Sequence, residues 1–129
     1  MAKIDQYLEE IRGHLNRRSA ADAARAVAEH DALLVDIRPV DLRQRDGTIP
    51  NAIVIDRNQL EWRLDPTSPH RIDAIDRASQ IVILVCDEGY ASSLAARSLQ
   101  AIGLPGATDL IGGFQAWRAA GLPVDSPED

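Results

Sequence analysis

The sequence predicts an α/β domain in which a mainly parallel sheet lies between helices. Three observations carry this expectation. Short apolar, partly β-branched runs alternate with helix-patterned segments along the whole chain. Those runs lack polar alternation, as strands covered on both faces do. The 129 residues suit one domain, long enough to bury about two thirds of its unfolded surface around one core and too short for a second catalytic domain.

The elements follow in order. Ile4, Tyr7, Leu8, Ile11 and Leu15 fall at helical spacing and predict an amphipathic helix over 4–16. "SAADAARAVAEHD" predicts a second, alanine-rich helix with Ser19 as N-cap, Asp22 in its first turn and His30 near its negative end. "ALLVDI" reads as a buried strand, and Pro39 behind it starts a turn or short helix. "DGTIP" is a turn before a second strand in "NAIVID". "RNQLEWRL" and "RIDAIDRAS" read as short helices around the loop "DPTSPH". "QIVILVC" is the most strand-like run, followed by a helix in "ASSLAARSLQAIG" that Gly103 ends, with Pro105 beyond. "ATDLI" is a fourth strand and "GGFQAWRAAG" a last helix ended by Gly121. The expected organisation is a helical extension over 1–31, the α/β domain over 32–124 and a loose tail over 125–129.

Composition narrows the function. A net charge of −6 argues against nucleic acid or an anionic membrane as partner. Acids and arginines interrupt every apolar run of the N-terminus, so neither a signal-peptide core nor a membrane span is expected there. One cysteine excludes an intramolecular disulfide, and the scattered His14, His30 and His70 give no zinc spacing, so no metal is expected. The chain reads as cytoplasmic, where a lone thiol stays reduced.

Cys86 ends the third apolar run and opens a turn through Gly89 before a helix that starts near Ala91 or Ser92. In parallel α/β sheets ligands bind outside the carboxyl ends of the strands. Amides of Asp87, Glu88, Gly89, Tyr90 and Ala91 curled around the sulfur would form an anion-binding nest, and a helix N-terminus favours the thiolate. Gly89 supplies the positive φ that so tight a turn needs. The plain alternative is a small apolar residue at the end of a core strand.

Three motifs in order then resemble the rhodanese-like sulfurtransferases: "LLVDIRPVDLRQRDGTIPNAIVID", the loop "CDEGYASS" and "GGFQAWRAAGLPV". The resemblance spans about 32–124 and implies five strands, the fifth an edge strand near the N-terminus. It also implies a ping-pong reaction with no cofactor. Cys86 takes the outer sulfur of thiosulfate or a persulfide donor and passes it, as a persulfide, to cyanide or a thiol, a protein thiol included. A non-catalytic sulfur carrier, sensor or interaction domain is the second reading. A phosphatase loop would place arginine six residues after the cysteine, where this chain has Ser92.

The chain departs from the family pattern at Ala91, Thr48 and Asn51, and more consequentially at Asp87 and Glu88. Two carboxylates at about 7 Å would oppose a thiolate by about 1 kcal/mol each. A helix N-terminus returns only about 0.3 to 1 kcal/mol. Unless Arg38, Arg57 or another arginine faces the pocket, thiosulfate is expected to be a poor donor. Asp36 and Arg38 read first as an ion pair that fixes a loop and second as a substrate contact. Arg57 is the second candidate for an anion contact, its alternative being an exposed arginine at a helix start. Trp62, Phe114 and Trp117 read as core or pocket wall, and Gly112-Gly113 as a tight strand-to-helix turn. The apolar stripe of the first helix is free to pack on the domain or to form a dimer contact.

Overall fold

The computed structural model describes residues 1–127. Along the chain run α1 (Lys3–Arg12), α2 (Ala20–His30), β1 (Leu33–Asp36), α3 (Val40–Asp46), β2 (Ile53–Val54), a 3-10 turn (Arg57–Gln59), α4 (Leu60–Leu64), β3 (Val82–Val85), α5 (Ala91–Ala101), β4 (Ala107–Asp109) and α6 (Gly113–Ala119). The strands form one parallel sheet in the order β2-β1-β3-β4. Val35 pairs with Leu84, and Leu84 with Asp109, so the carboxyl ends of β1, β3 and β4 line up at one edge.

Alternate residues of the apolar strands serve two cores. Val35, Val82 and Leu84 meet Ile11 and Leu15, Leu60 and Leu64 of α4, and Ala95, Ala96 and Leu99 of α5. Leu34, Ile83 and Val85 meet Ala20, Ala23 and Ala26 of α2, with Phe114 and Trp117 of α6. A period of two in the strands thus divides the chain into helices above and helices below. Alanine on α2 and α5 lets both helices lie close to the sheet, each small side chain leaving room for a strand residue opposite.

Four strands form rather than the expected five. At the free edge of β4 the chain offers a single parallel bridge: Arg18 donates its N–H to the Asp109 carbonyl at 3.0 Å and accepts from Ile111 at 2.8 Å. Ser19, the next residue, already caps α2 by accepting from the Asp22 N–H at 3.1 Å, so the segment turns away before a strand can lengthen.

Three further expectations are corrected. Residues 71–79 form turns, not a helix. Ile72 and Ile75 face the core, while the Gln80 side chain accepts from the N–H groups of Asp76 and Arg77 and donates to the Ala74 carbonyl, satisfying a loop where a helix would satisfy itself. Trp62 is 61% exposed, because Leu60 and Leu64, four apart on α4, take the buried face. Asp125, counted in the loose tail, is tied to Thr48 by hydrogen bonds of 2.7 and 3.0 Å. The last two tail residues lie outside the described part of the chain.

α1 buries Leu8 and Ile11 against the domain and leaves Ile4 and Tyr7 half-exposed. Among the described residues no helix is long and apolar enough to cross a membrane, and no group of three or more His, Cys, Asp or Glu side chains could hold a metal ion.

Candidate active site

Cys86 follows the last residue of β3 and sits, 7% exposed, at the floor of a cavity of about 470 Å³. Ile37, Arg38, Pro39 and Leu42 form one wall, Arg57 the rim, and Asp87, Glu88, Tyr90 and Ala91 the other wall. Those residues are brought together because β1 and β3 are neighbours and end in register.

The loop after Cys86 wraps its own sulfur. Sγ accepts from the Gly89 N–H at 3.1 Å and the Ser92 N–H at 3.4 Å, and its S–H faces the Ser92 hydroxyl oxygen at 3.2 Å. Gly89 has φ of +89°, and a Cβ there would stand 2.7 Å from the Gly112 nitrogen, so turn and packing both require glycine. Of the amides expected to face the sulfur, that of Gly89 reaches Sγ, joined by that of Ser92 in the first turn of α5. An anion at this sulfur would meet backbone dipoles already oriented, with no reorganisation at the moment of reaction.

The carbonyls of the loop turn the other way. Cys86 C=O accepts from the Phe114 N–H at 2.8 Å and Asp87 C=O from the Gln115 N–H at 3.1 Å, both at the start of α6. Gly112 and Gly113 make this possible: a Cβ on Gly113 would lie 2.5 Å from the Cys86 carbonyl oxygen. The paired glycines form the tight turn expected and also let α6 dock against the cysteine loop.

The two acids after the cysteine differ. Asp87 accepts from the Gln115 amide at 2.8 Å and lies 3.6 Å from Arg45, whereas Glu88 is exposed. Arg38 is wholly buried and bound to Asp36 at 2.8 Å and to the Gly47 carbonyl at 2.8 Å, with its guanidinium 3.8 Å from the centre of the Phe114 ring. That is the ion pair preferred from the sequence. Arg57 donates to Glu61 at 2.9 Å. Burial would raise the Glu61 carboxyl, but hydrogen bonds from Ser98 and Arg57 outweigh it and hold the group below the usual carboxylate range. Both arginines of the cavity therefore have a carboxylate partner.

Beneath the loop lie a carboxylate and two arginines to which the sequence assigns no role, and they engage Ser92 and Ser93, whose hydroxyls, expected as donors to substrate, are buried and turned away to Asp109. Asp109, wholly buried at the end of β4, accepts from the hydroxyls of Ser92 and Ser93, each at 2.7 Å, and from Arg17 at 2.8 Å. Arg12 donates to the Ser93 hydroxyl at 3.1 Å and to the Gly89 carbonyl at 2.7 Å, and Arg17 reaches the same carbonyl at 3.0 Å. An aspartate inside the apolar run "ATDLI" was the one available signal, since a buried carboxylate requires a partner. Arg12 and Arg17 carried none, because arginines near a surface helix read as solvated.

Comparisons with known proteins agree with this fold. The profile of the rhodanese-like domain matches residues 19–120. A sulfurtransferase of Allochromatium vinosum is 37% identical over 99 residues, covering 76% of this chain and 82% of the relative. Among solved structures, a Rhodopseudomonas palustris protein of unknown function, described as a possible tyrosine phosphatase, superposes with a TM-score of 0.84 at 32% identity, over 97% of this chain and 96% of that one. A rhodanese-related protein of Thermoplasma volcanium superposes with a TM-score of 0.66 at 25% identity, over 84% and 96% of the two chains.

Proposed function

Because the chain belongs to the rhodanese-like family, we propose that it is a sulfurtransferase working through a persulfide on Cys86. The observation that carries the reading is the Cys86 sulfur at the cavity floor, met by the amides of Gly89 and Ser92. In the first half-reaction the Cys86 thiolate attacks the sulfane sulfur of the donor. A new S–S bond forms, the donor's bond to that sulfur breaks, and the electron pair leaves as sulfite or the donor thiolate. In the second, cyanide or an acceptor thiolate attacks the outer sulfur of the Cys86 persulfide and returns the Cys86 thiolate. The Cys86 thiolate, nucleophile in the first step and leaving group in the second, is the anion that the inward amides favour.

The cavity supports a persulfide of a small or protein thiol over thiosulfate as donor. Asp87 and Glu88 line it, its arginines are already paired, and Ile37, Pro39, Leu42 and Tyr90 offer apolar wall for a thiol's carbon stem. A dianion entering here meets the exposed Glu88 and finds no arginine of the cavity without a carboxylate partner. The expected outcome is a kcat/KM for thiosulfate about tenfold or more below that for a persulfide. Intact-protein mass spectrometry after donor treatment should show one added sulfur, absent in Cys86→Ser. Preference for thiosulfate would sink the donor assignment; an unmodified Cys86 would sink the mechanism, and a persulfide that no acceptor removes would leave a sulfur carrier.

The likeness to a possible tyrosine phosphatase does not extend to the loop chemistry. A cysteine-based phosphatase loop uses an arginine that grips phosphate with two parallel hydrogen bonds, and the sixth residue after Cys86 is Ser92, its hydroxyl committed to Asp109.

A further inference from the structure

Three carbonyls of the cysteine loop are held from outside, but not by the same kind of partner. Those of Cys86 and Asp87 are taken by backbone N–H groups of α6. That of Gly89 is taken by two guanidinium groups, Arg12 at 2.7 Å and Arg17 at 3.0 Å, which reach it from 77 and 72 residues away. Arg12 lies outside the stretch matched by the family profile.

The Gly89 carbonyl is the one with freedom to go wrong. Its residue has φ of +89° and no Cβ, so the peptide that follows can rotate at little steric cost. Rotated inward, a carbonyl dipole would face an anionic sulfur. We propose that Arg12 and Arg17 are positioning residues for Cys86: by holding the Gly89 carbonyl on the outside of the loop they keep its dipole away from the sulfur and fix the turn between the Gly89 and Ser92 amides that face it. Charge-assisted hydrogen bonds are the strong class, each biasing such an orientation about tenfold or more.

The remaining contacts of the two arginines serve the same loop. Arg12 also holds the Ser93 hydroxyl at 3.1 Å and stands 5.5 Å from the centre of the Tyr90 ring. Arg17 also binds both oxygens of Asp109, at 2.8 and 3.3 Å, and Asp109 in turn holds the hydroxyls of Ser92 and Ser93. Gly89 and Ser93 are thus held directly by the segment that precedes the sheet, and Ser92 through the Asp109 that Arg17 binds. α1 thereby gains a role beyond covering the core.

The inference deepens the sulfur-transfer reading and rests on it for its use, so its test includes a readout that needs no sulfur donor. In the full chain, Arg12→Met keeps the stem and leaves Leu8, Ile11 and Leu15 to pack α1. Arg12→Lys restores one donor. Cys86 alkylation by iodoacetamide, and kcat and KM with a small-thiol persulfide, are measured for each, with the melting temperature as control. Because Arg17 still holds the carbonyl, Arg12→Met should lower both alkylation and kcat about three- to tenfold while KM moves less than about twofold. Arg12→Lys should recover much of the loss. Arg17→Lys, which keeps a charge beside Asp109, should slow alkylation as well, and the two substitutions together by more than the product of the single effects.

Arg12→Met at the parental alkylation rate, a loss confined to KM, or Arg12→Lys as slow as Arg12→Met would overturn the proposal. If Arg12→Met does not fold, Arg17→Lys at the parental alkylation rate does so alone. Slow alkylation in a protein that transfers no sulfur would overturn the sulfur-transfer reading and leave the positioning role standing.

Discussion

Two carboxylate–arginine pairs stand at the carboxyl edge of the sheet, Asp36 with Arg38 and Asp109 with Arg17, each closed at 2.8 Å and each with its aspartate wholly out of solvent. Their chemistry is alike and their uses differ. The first joins residues two apart, adds the Gly47 carbonyl and stacks its guanidinium on Phe114. It locks the turn after β1. The second joins residues 92 apart, and through the hydroxyls of Ser92 and Ser93 it touches the helix start that carries an amide to the Cys86 sulfur. One pair holds the fold; the other couples the fold to the site. A buried ion pair is weak evidence for stability as such, so what each pair connects is the more informative property.

Breaking the first pair should cost most. Arg38→Met leaves Asp36 buried without its countercharge and the Gly47 carbonyl without its donor. The loss should be about 3 to 5 kcal/mol. That is a large part of the roughly 5 to 15 kcal/mol that holds a domain. Urea unfolding checks it, with Arg25→Met, whose partner Asp22 lies on the surface, as the reference. Equal midpoints for the two variants would show that the turn does not depend on the buried pair.

The second pair sharpens the comparison. Arg17→Met should cost about 3 kcal/mol, toward the low end because Arg17 is 17% exposed and two hydroxyls remain on Asp109. Replacing both partners, Arg17→Met with Asp109→Leu, removes the unpaired charge and should recover most of that stability, yet Cys86 should still alkylate slowly because the Ser92 hydroxyl has lost its acceptor and Ser93 and the Gly89 carbonyl keep Arg12 alone. The matching exchange at the first pair, Asp36→Leu with Arg38→Met, should recover stability and change alkylation less than the exchange at the second, because Arg38 forms cavity wall but holds none of the groups that bond the sulfur. Equal alkylation rates in the two double variants would erase the distinction.

What could be read from the sequence follows the same division. Asp36 and Arg38 were legible because a spacing of two at a strand end puts both on one side. The cysteine loop, the turn at Gly89 and the glycine pair were legible because each is local, a few residues whose backbone needs can be stated without the rest of the molecule. Arg12, Arg17 and their link to Asp109 were not: each arginine lies 72 to 92 residues from the groups it binds, and nothing in the order of residues brings them together. The fifth strand came from the family's pattern alone, and this chain reduces it to Arg18 because the cap at Ser19 follows at once. The helix expected over 71–79 failed for a related reason. Gln80 satisfies that backbone from outside the segment, and local propensity does not see it.

A third carboxylate sets the lower end of the scale. Asp46 accepts from Arg45 at 2.7 Å, lies 3.4 Å from Arg118, and shares with Asp87 the amide of Gln115. The hydrogen bond from Arg45, with Gln115 and the nearby Arg118 charge, holds the Asp46 carboxyl well below its ordinary value of 3.8. A group whose value is depressed by folding contributes stability in full above its unfolded value and loses it as pH falls through the folded one. The difference in unfolding free energy between the parent and Asp46→Asn should therefore be constant above about pH 5 and shrink as acid protonates Asp46 into a neutral group like its replacement. Because Arg45 is exposed, the difference should also fall in high salt, whereas the losses at Arg38 and Arg17 should barely respond. Urea titrations across pH at two ionic strengths test both statements. A difference that ignores pH would mean that Asp46 acts through its hydrogen-bonding shape alone, and one that ignores salt would place it with the buried pairs.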